Sequence, residues 1–147
     1  MVEEGTTRGG AKGLGQWLAR IAPKRARGSV TVAILPDTRV RALNRKYRGK
    51  DETTDVLSFP AQTVRGGLRE PFLGDIAISR GIAQKQSKML RHSLTVEVRV
   101  LALHGLLHLL GYDHESDRGR MARAEARLRR KAGLPLGLIA RGTPDTT

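Results

Sequence analysis

Hydrophobic positions along the chain recur with two periods, which predict short strands alternating with helices. Short runs of β-branched and apolar residues are typical of strands, and they cover 29–35, 56–59 and 73–78. Apolar residues three or four positions apart are typical of helices with one buried face. They predict helices over 13–22, between Asp37 and Gly49, after Ser79, over 96–110 and over 115–131.

Cap residues and apolar faces refine these elements. Asp37 or Thr38 is expected to cap the second helix, and Ser79 the third, because their side-chain oxygens can accept from free backbone N–H groups. The arginines of the last helix, Arg129 among them, are expected outside its apolar stripe, and most of them are expected to be solvated. The side chains expected to face the core are Trp17, Val40, Leu43, Tyr47, Ile82, Ala83, Met89, Met121, Ala124 and Leu128.

This order of elements predicts a single small α+β domain, in which a three- to four-stranded sheet packs with about five helices. At 147 residues the chain is long enough to bury a substantial core. The folded domain is expected to cover 13–132. Residues 1–12 are expected to be a disordered extension and 133–147 a flexible tail.

Three of the four histidines lie within eleven residues, at positions 104, 108 and 114. Positions four apart share one face of a helix, so His104 and His108 point the same way. Gly111 can end the helix in a left-handed conformation, and the chain can then turn and bring His114 back toward that face. The spacing predicts three imidazoles that converge on one point.

Converging imidazoles suit one zinc ion, and catalytic zinc sites commonly use three protein ligands with one position left open. The spacing matches the zinc-metalloprotease motif H-E-x-x-H-x-x-G-x-x-H, except that Gly105 replaces the glutamate that acts as general base. The pattern therefore predicts a zincin-like metal-binding helix without the proteolytic base. Three histidines also accept nickel, cobalt or copper, so other divalent transition metals stay open. His92, outside the motif, is expected at the surface or as a cap.

The amino-acid composition limits the classes of binding partner that are expected. The chain has 27 Lys and Arg against 14 Asp and Glu, a net charge of +13, which favours a polyanionic partner, either nucleic acid or an anionic membrane surface. An apolar run of about 18 residues is lacking, so no transmembrane helix is expected. RNA is the predicted partner, and no membrane partner is expected. Because the chain has no cysteine, disulfides and thiolate ligands are excluded, and a cytoplasmic location is the simple expectation. The glycines near Gly13 lack the pattern of a dinucleotide site, so no dinucleotide is expected.

The histidine segment over 104–114 resembles the signature of the YbeY family of bacterial metal-dependent endoribonucleases. Segments over 43–51, 54–60 and 73–79 are similar to the same family and occur in its order, so the resemblance covers 13–132. It implies cleavage of single-stranded RNA at the 3′ end of small-subunit rRNA, and a part in ribosome quality control. It also implies rRNA, the ribosomal small subunit and ribosomal or GTPase proteins as partners.

An arginine is expected beside the metal, because a planar guanidinium can bind two phosphate oxygens at once. Arg48 is the candidate, and the resemblance implies a catalytic arginine in that segment; the alternative is that Arg48 caps the last carbonyl groups of its helix. Asp113 and Glu115 could orient water or an imidazole, or cap helices. Asp75 could contact a ligand histidine or tie down its strand. Thr54, Asp55 and Ser58 could line the cleft, and a turn-stabilising role is the alternative for Thr54 and Asp55.

The sequence thus predicts a zinc-dependent endoribonuclease, with His104, His108 and His114 as metal ligands. His104 and Arg48 are the predicted catalytic residues. Two alternatives remain open. One is a metallopeptidase on the same ligands, which Gly105 disfavours. The other is a non-enzymatic ribosome assembly factor with a structural zinc, which the lack of an obvious fourth ligand disfavours.

Overall fold

The computed structural model describes residues 2–4, 13–23, 29–61, 72–112 and 119–135. These residues form four strands and five helices, which confirms the predicted α+β class. In chain order the elements are β1 (Val2–Glu4), α1 (Leu14–Ile21), β2 (Ser29–Leu35), α2 (Asp37–Arg48), β3 (Val56–Pro60), β4 (Phe72–Ser79), α3 (Arg80–Met89), α4 (Leu94–Leu109) and α5 (Arg120–Ala132).

The four strands form one mixed sheet in the order β1-β2-β4-β3. β1, β2 and β4 are parallel, whereas β3 runs antiparallel to β4 at the end of that order. In the β3–β4 pair, Ser58 lies opposite Ile76 and Phe59 opposite Asp75. Successive side chains of a strand point to opposite faces, so Ser58 and Phe59 face different layers.

Helices cover both faces of the sheet. Ile34, Ile76 and Ile78 belong to the main core, which they share with apolar residues of α1 and α4. Residues that point to the other face from β2, β3 and β4 form a second cluster around Val40 of α2, and they are Leu35, Leu57 and Ala77. Because strand side chains alternate, α2 lies on the face of the sheet opposite α4.

The predicted buried helix is confirmed as α4. Ser93 caps it, since the Ser93 hydroxyl accepts from the Val96 backbone N–H at 3.1 Å. Nine of the sixteen residues of α4 are buried, so packing on both sides stabilises it. Trp17 is also buried as predicted, and the Arg99 guanidinium lies 5.1 Å from the centre of its ring. None of the described helices has the length and apolar character needed to cross a bilayer.

Near both ends of the chain, some described residues are ordered where the sequence predicted disorder or flexibility. Val2–Glu4 pairs in parallel with β2, so the prediction of disorder over 1–12 is wrong for these three residues. At the other end, Leu134 is buried in the main core and the Pro135 carbonyl accepts from Arg129 at 3.0 Å. The predicted flexible tail is therefore wrong for 133–135. Residues 1, 5–12 and 136–147 lie outside the described residues.

The predicted burial is wrong for three side chains: two that were expected in the core are exposed, and one arginine that was expected outside it is buried. Tyr47 and Met89 are 59% and 74% exposed, because each lies in the last turn of its helix, where the helix extends past its packing partners. Arg129 is only 2% exposed, because it pairs with Glu125 of the same helix. The helix α5 begins at Arg120, after Gly119 in a left-handed conformation; the predicted helical residues 115–118 lie outside the described residues.

Helices α2 and α3 are not capped by the residues that the sequence predicts. Asp37 is the first residue of α2, but its carboxylate accepts from the Gly81 backbone N–H at 2.8 Å and so caps α3. Ser79 precedes α3 but does not cap it; its hydroxyl donates to the Thr54 carbonyl at 2.6 Å. Both bonds tie distant parts of the chain to the end of β4.

Candidate metal centre

His104 and His108 lie one turn apart on α4 and share a face, as their spacing predicts. Their Nε2 atoms are 3.2 Å apart, and their rings meet edge to face with centres separated by 4.7 Å. Both side chains are half-buried. The two nitrogens therefore converge on one point that stays accessible from outside the core.

This separation fits two ligands of one zinc ion. Zinc binds imidazole nitrogen at 2.0–2.1 Å in tetrahedral geometry, which places two ligating nitrogens about 3.3 Å apart. The observed 3.2 Å between the Nε2 atoms needs almost no adjustment. Neutral imidazole is also a donor that zinc prefers.

The third predicted ligand cannot be placed. His114 lies in the segment 113–118, outside the described residues, together with Asp113 and Glu115. Among the residues that the structure does describe, no group of three His, Asp or Glu side chains could hold a metal ion. The pair on α4 is thus the described part of the predicted site.

A carboxylate that sequence reasoning missed lies behind His104. The Nδ1 atom of His104 is 2.7 Å from Oε1 of Glu125, which is buried on α5. The other oxygen, Oε2, is 2.8 Å from Nη2 of Arg129. One signal could have found this acid: Glu125 lies four residues after buried Met121, on the inner face of an otherwise basic helix.

Gly105 allows α4 to approach the sheet closely. A Cβ atom at this position would lie 2.8 Å from Ile76 Cγ2 and 3.1 Å from the Ser58 hydroxyl. The Ser58 hydroxyl also donates to the Gly105 carbonyl at 2.9 Å. Position 105 therefore faces the sheet, and a glutamate there would meet β3 and β4.

Asp75 does not contact the histidines. Its neighbour Ile76 faces α4, so Asp75 points to the opposite face of the sheet. There it forms a hydrogen bond with Thr31 of β2, its partner in the strand register. Partial burial of this carboxyl raises its pKa above the ordinary value, although the Thr31 hydrogen bond acts the other way. The structure supports the strand-tying alternative.

The polar residues before and within β3 have structural contacts. The backbone carbonyls of Thr54 and Asp55 accept from the side chain and the backbone N–H of Ser79, respectively. The Asp55 carboxylate also accepts from Gln86 at 3.4 Å. For Thr54 and Asp55 these contacts favour the turn-stabilising alternative over cleft lining.

His92 is not a surface residue or a cap. Its Nε2 atom lies 2.7 Å from Oε1 of Glu97, which is fully buried near the start of α4. Ser93 is the cap instead. The described residues therefore contain two His–Glu pairs with the same 2.7 Å separation, one near each end of α4.

Arg48 is exposed at the end of α2, beside Gly49 in a left-handed conformation. Backbone N–H groups of Gly49 and Lys50 already bond the carbonyls of Arg45 and Asn44, so those carbonyls do not need the Arg48 side chain. The segment that follows is tied back to α2 by two contacts, Arg41 with Asp51 and Asn44 with Glu52.

The edge strand β3 contacts both α2, which carries Arg48, and α4, which carries the histidine pair. Ser58 of β3 bonds to Gly105 on one face of the sheet, beside His104. Phe59, the next residue, contacts the Tyr47 ring on the other face, with ring centres 5.5 Å apart. Because Tyr47 precedes Arg48, the end of α2 and the histidine pair lie at the same level of β3, on opposite faces.

Comparisons with known proteins agree with this architecture. The family model described as Endoribonuclease YbeY matches residues 11–133. The protein named Endoribonuclease YbeY from Solibacter usitatus is 55% identical over 108 residues, which are 74% of this chain and 69% of that protein. Its counterpart from Koribacter versatilis is 49% identical over 117 residues, covering 80% and 73%. The solution structure of TM1509 from Thermotoga maritima superimposes with a TM-score of 0.62 and 26% identity, covering 90% of this chain and 89% of that one.

Fold and site define a small α+β protein with a histidine pair on its central helix. The extent of the family match and the identity to its relatives decide the family. The chain belongs to the Endoribonuclease YbeY family.

Proposed function

We propose that this protein is a zinc-dependent endoribonuclease that hydrolyses single-stranded RNA, with His104, His108 and His114 as metal ligands. The observation that carries the proposal is the 3.2 Å separation of the two Nε2 atoms on α4. Relatives of this chain bear the name Endoribonuclease YbeY, and the donor set suits zinc or another divalent transition metal.

The histidines would hold the ion, and α4 orients the two that lie on it. A bound metal would supply Lewis-acid chemistry at a phosphoryl oxygen and would make a water molecule a stronger nucleophile. Half-burial of His104 and His108 leaves the site open to a substrate. Because Gly105 carries no side chain, the general base of the peptidases is absent from this helix.

Arg48 is the proposed second catalytic residue. Its guanidinium would bind the phosphate oxygens, where negative charge develops during cleavage. Arg48 and the histidine pair flank the same part of β3, as the contacts of Ser58 and Phe59 indicate. A single strand of RNA that crosses this edge would reach both groups.

RNA is the substrate class that the charge favours. The net charge of +13 includes a group of exposed cations on α2, which attracts a phosphate backbone. These residues are Arg39, Arg41, Arg45, Lys46 and Arg48. Following its family, we assign the protein to maturation of the small-subunit rRNA 3′ end and to ribosome quality control in the cytoplasm, with ribosomal or GTPase proteins as partners.

The test is cleavage of end-labelled single-stranded RNA by the full chain. We expect His104→Ala to abolish cleavage and Arg48→Ala to slow it by about 100-fold, the usual effect of removing one charge-stabilising group. Arg20→Ala is the matched control, because Arg20 is also exposed but lies at the end of α1, outside the group of cations on α2. Equal cleavage by the wild type, His104→Ala and Arg48→Ala would contradict the proposal.

The peptidase alternative is weakened by the position of Gly105. A base at 105 would face Ile76 and not the imidazole nitrogens. Incubation with an unstructured protein tests this alternative, and peptide cleavage that a chelator abolishes would support it. The assembly-factor alternative predicts zinc binding without RNA cleavage.

A further inference from the structure

Glu125 connects the last helix to the candidate metal centre. It lies 21 residues after His104 in the chain, yet its Oε1 is 2.7 Å from the His104 Nδ1 atom. An ionised carboxylate has only acceptor atoms, so His104 donates its Nδ1–H to Glu125. In the neutral ring the proton is then on Nδ1, and the lone pair is on Nε2, the nitrogen that faces His108.

Arg129 holds this carboxylate in place. Its Nη2 lies 2.8 Å from Glu125 Oε2, and its Nη1 donates to the Pro135 carbonyl at 3.0 Å. Both side chains are buried, with exposures of 7% and 2%. Burial of an ion pair adds little to stability, and apolar residues of similar size often serve as well. Stability alone therefore does not account for this pair.

We propose that Glu125 is a positioning residue for the metal centre and that Arg129 fixes its orientation. Glu125 holds the His104 ring in the tautomer and the rotation that direct Nε2 to the point shared with His108. Carboxylates that accept from the second nitrogen of a ligand histidine typically contribute 10–100-fold to metal affinity. Glu125 has this role only if the proposed metal centre exists.

The chain offers a matched control for this role. His92 and Glu97 form a second pair of the same chemistry, with the same 2.7 Å separation and an even more deeply buried carboxylate. Glu97 lies near the start of α4, about two turns before His104. A substitution of Glu97 therefore disturbs a buried His–Glu bond without touching His104.

The experiment measures zinc affinity of the metal-free full chain by competition with a chromogenic chelator. We expect Glu125→Gln to weaken zinc binding by about 10–100-fold. Glu97→Gln should bind zinc like the wild type, even where it lowers the unfolding temperature as much. Unchanged affinity in Glu125→Gln would overturn the role of Glu125 while leaving the metal centre intact. Absence of zinc binding in the wild type would overturn the metal centre itself, and this role with it.

A measurement on the wild type avoids dependence on a variant that fails to fold. Nitrogen-15 NMR of the neutral imidazole distinguishes its two tautomers. We expect the metal-free protein to carry the His104 proton on Nδ1. A proton on His104 Nε2 would overturn the role of Glu125.

Discussion

Gly105 of α4 lies directly against Ile76 of β4, without space for a side chain between them. A Cβ atom at position 105 would stand 2.8 Å from Ile76 Cγ2, closer than side chains tolerate. We expect Gly105→Ala to lower the free energy of unfolding by up to about 2 kcal/mol, because overpacking costs about 1–3 kcal/mol and alanine recovers about 1 kcal/mol in a helix. Urea unfolding measures this change.

A double variant shows whether the contact with Ile76 is the cause. Gly105→Ala combined with Ile76→Ala should be less destabilised than the sum of the two single variants, since the second substitution removes the clash. A Gly105→Ala protein as stable as the wild type would show that α4 can move away from the sheet.

Zinc should stabilise the folded chain through the histidine pair. A ligand that binds only the folded state raises its stability, by about 2.7 kcal/mol at a concentration 100 times its dissociation constant. We expect zinc to raise the unfolding temperature of the wild type but not that of His108→Ala. His92→Ala is the control and should keep the zinc effect, because His92 bonds to Glu97 and not to the pair. An equal shift in His108→Ala would contradict the site.

Asp37 should stabilise α3 from a neighbouring helix. Its carboxylate accepts from the free backbone N–H groups of Gly81 and Ile82. We expect Asp37→Ala to lower the free energy of unfolding by about 0.5–2 kcal/mol, the usual cost of losing a cap. Thr38→Ala, an exposed neighbour, should have a much smaller effect in the same denaturation experiment. Equal losses in the two variants would rule out this capping role.

Asp75 should give the folded chain a distinct pH dependence. Its pKa is raised by partial burial, so the folded state binds a proton more readily than the unfolded chain does. The stability due to this group then increases as the pH falls through the raised pKa, and its charge is unfavourable at neutral pH. We expect Asp75→Asn to be more stable than the wild type at neutral pH, with a difference that shrinks in acid.

Asp51 should give the folded chain a pH dependence opposite to that of Asp75. The hydrogen bond from Arg41 lowers the pKa of Asp51, so its contribution is present above the ordinary carboxyl pKa of about 4 and is lost as the pH falls through the lowered value. Asp51→Asn should be less stable than the wild type at neutral pH, and the two should converge in acid. Urea unfolding over a pH series tests both variants. Lower stability of Asp75→Asn at neutral pH would contradict the predicted sign.

Local patterns predicted much of the fold. Strands and helices follow from side-chain spacing, and the shared face of His104 and His108 follows from helix geometry alone. The exposed ends of α2 and α3 were misjudged at Tyr47 and Met89, since periodicity shows which face a residue occupies but not where the packing partner ends. Arg129 was misjudged because its charge suggested solvent, whereas Glu125 neutralises it inside the protein.

By itself, the sequence determined the class of fold, the histidine pair and the family resemblance, because these depend on spacing along one helix and on the order of motifs. Only the tertiary structure decided which groups meet from distant parts of the chain: Glu125 with His104, Asp37 with Gly81, and Gly105 with Ile76. Such contacts depend on how α5 and the sheet pack against α4. That packing is set by the whole core, and no local run of residues encodes it.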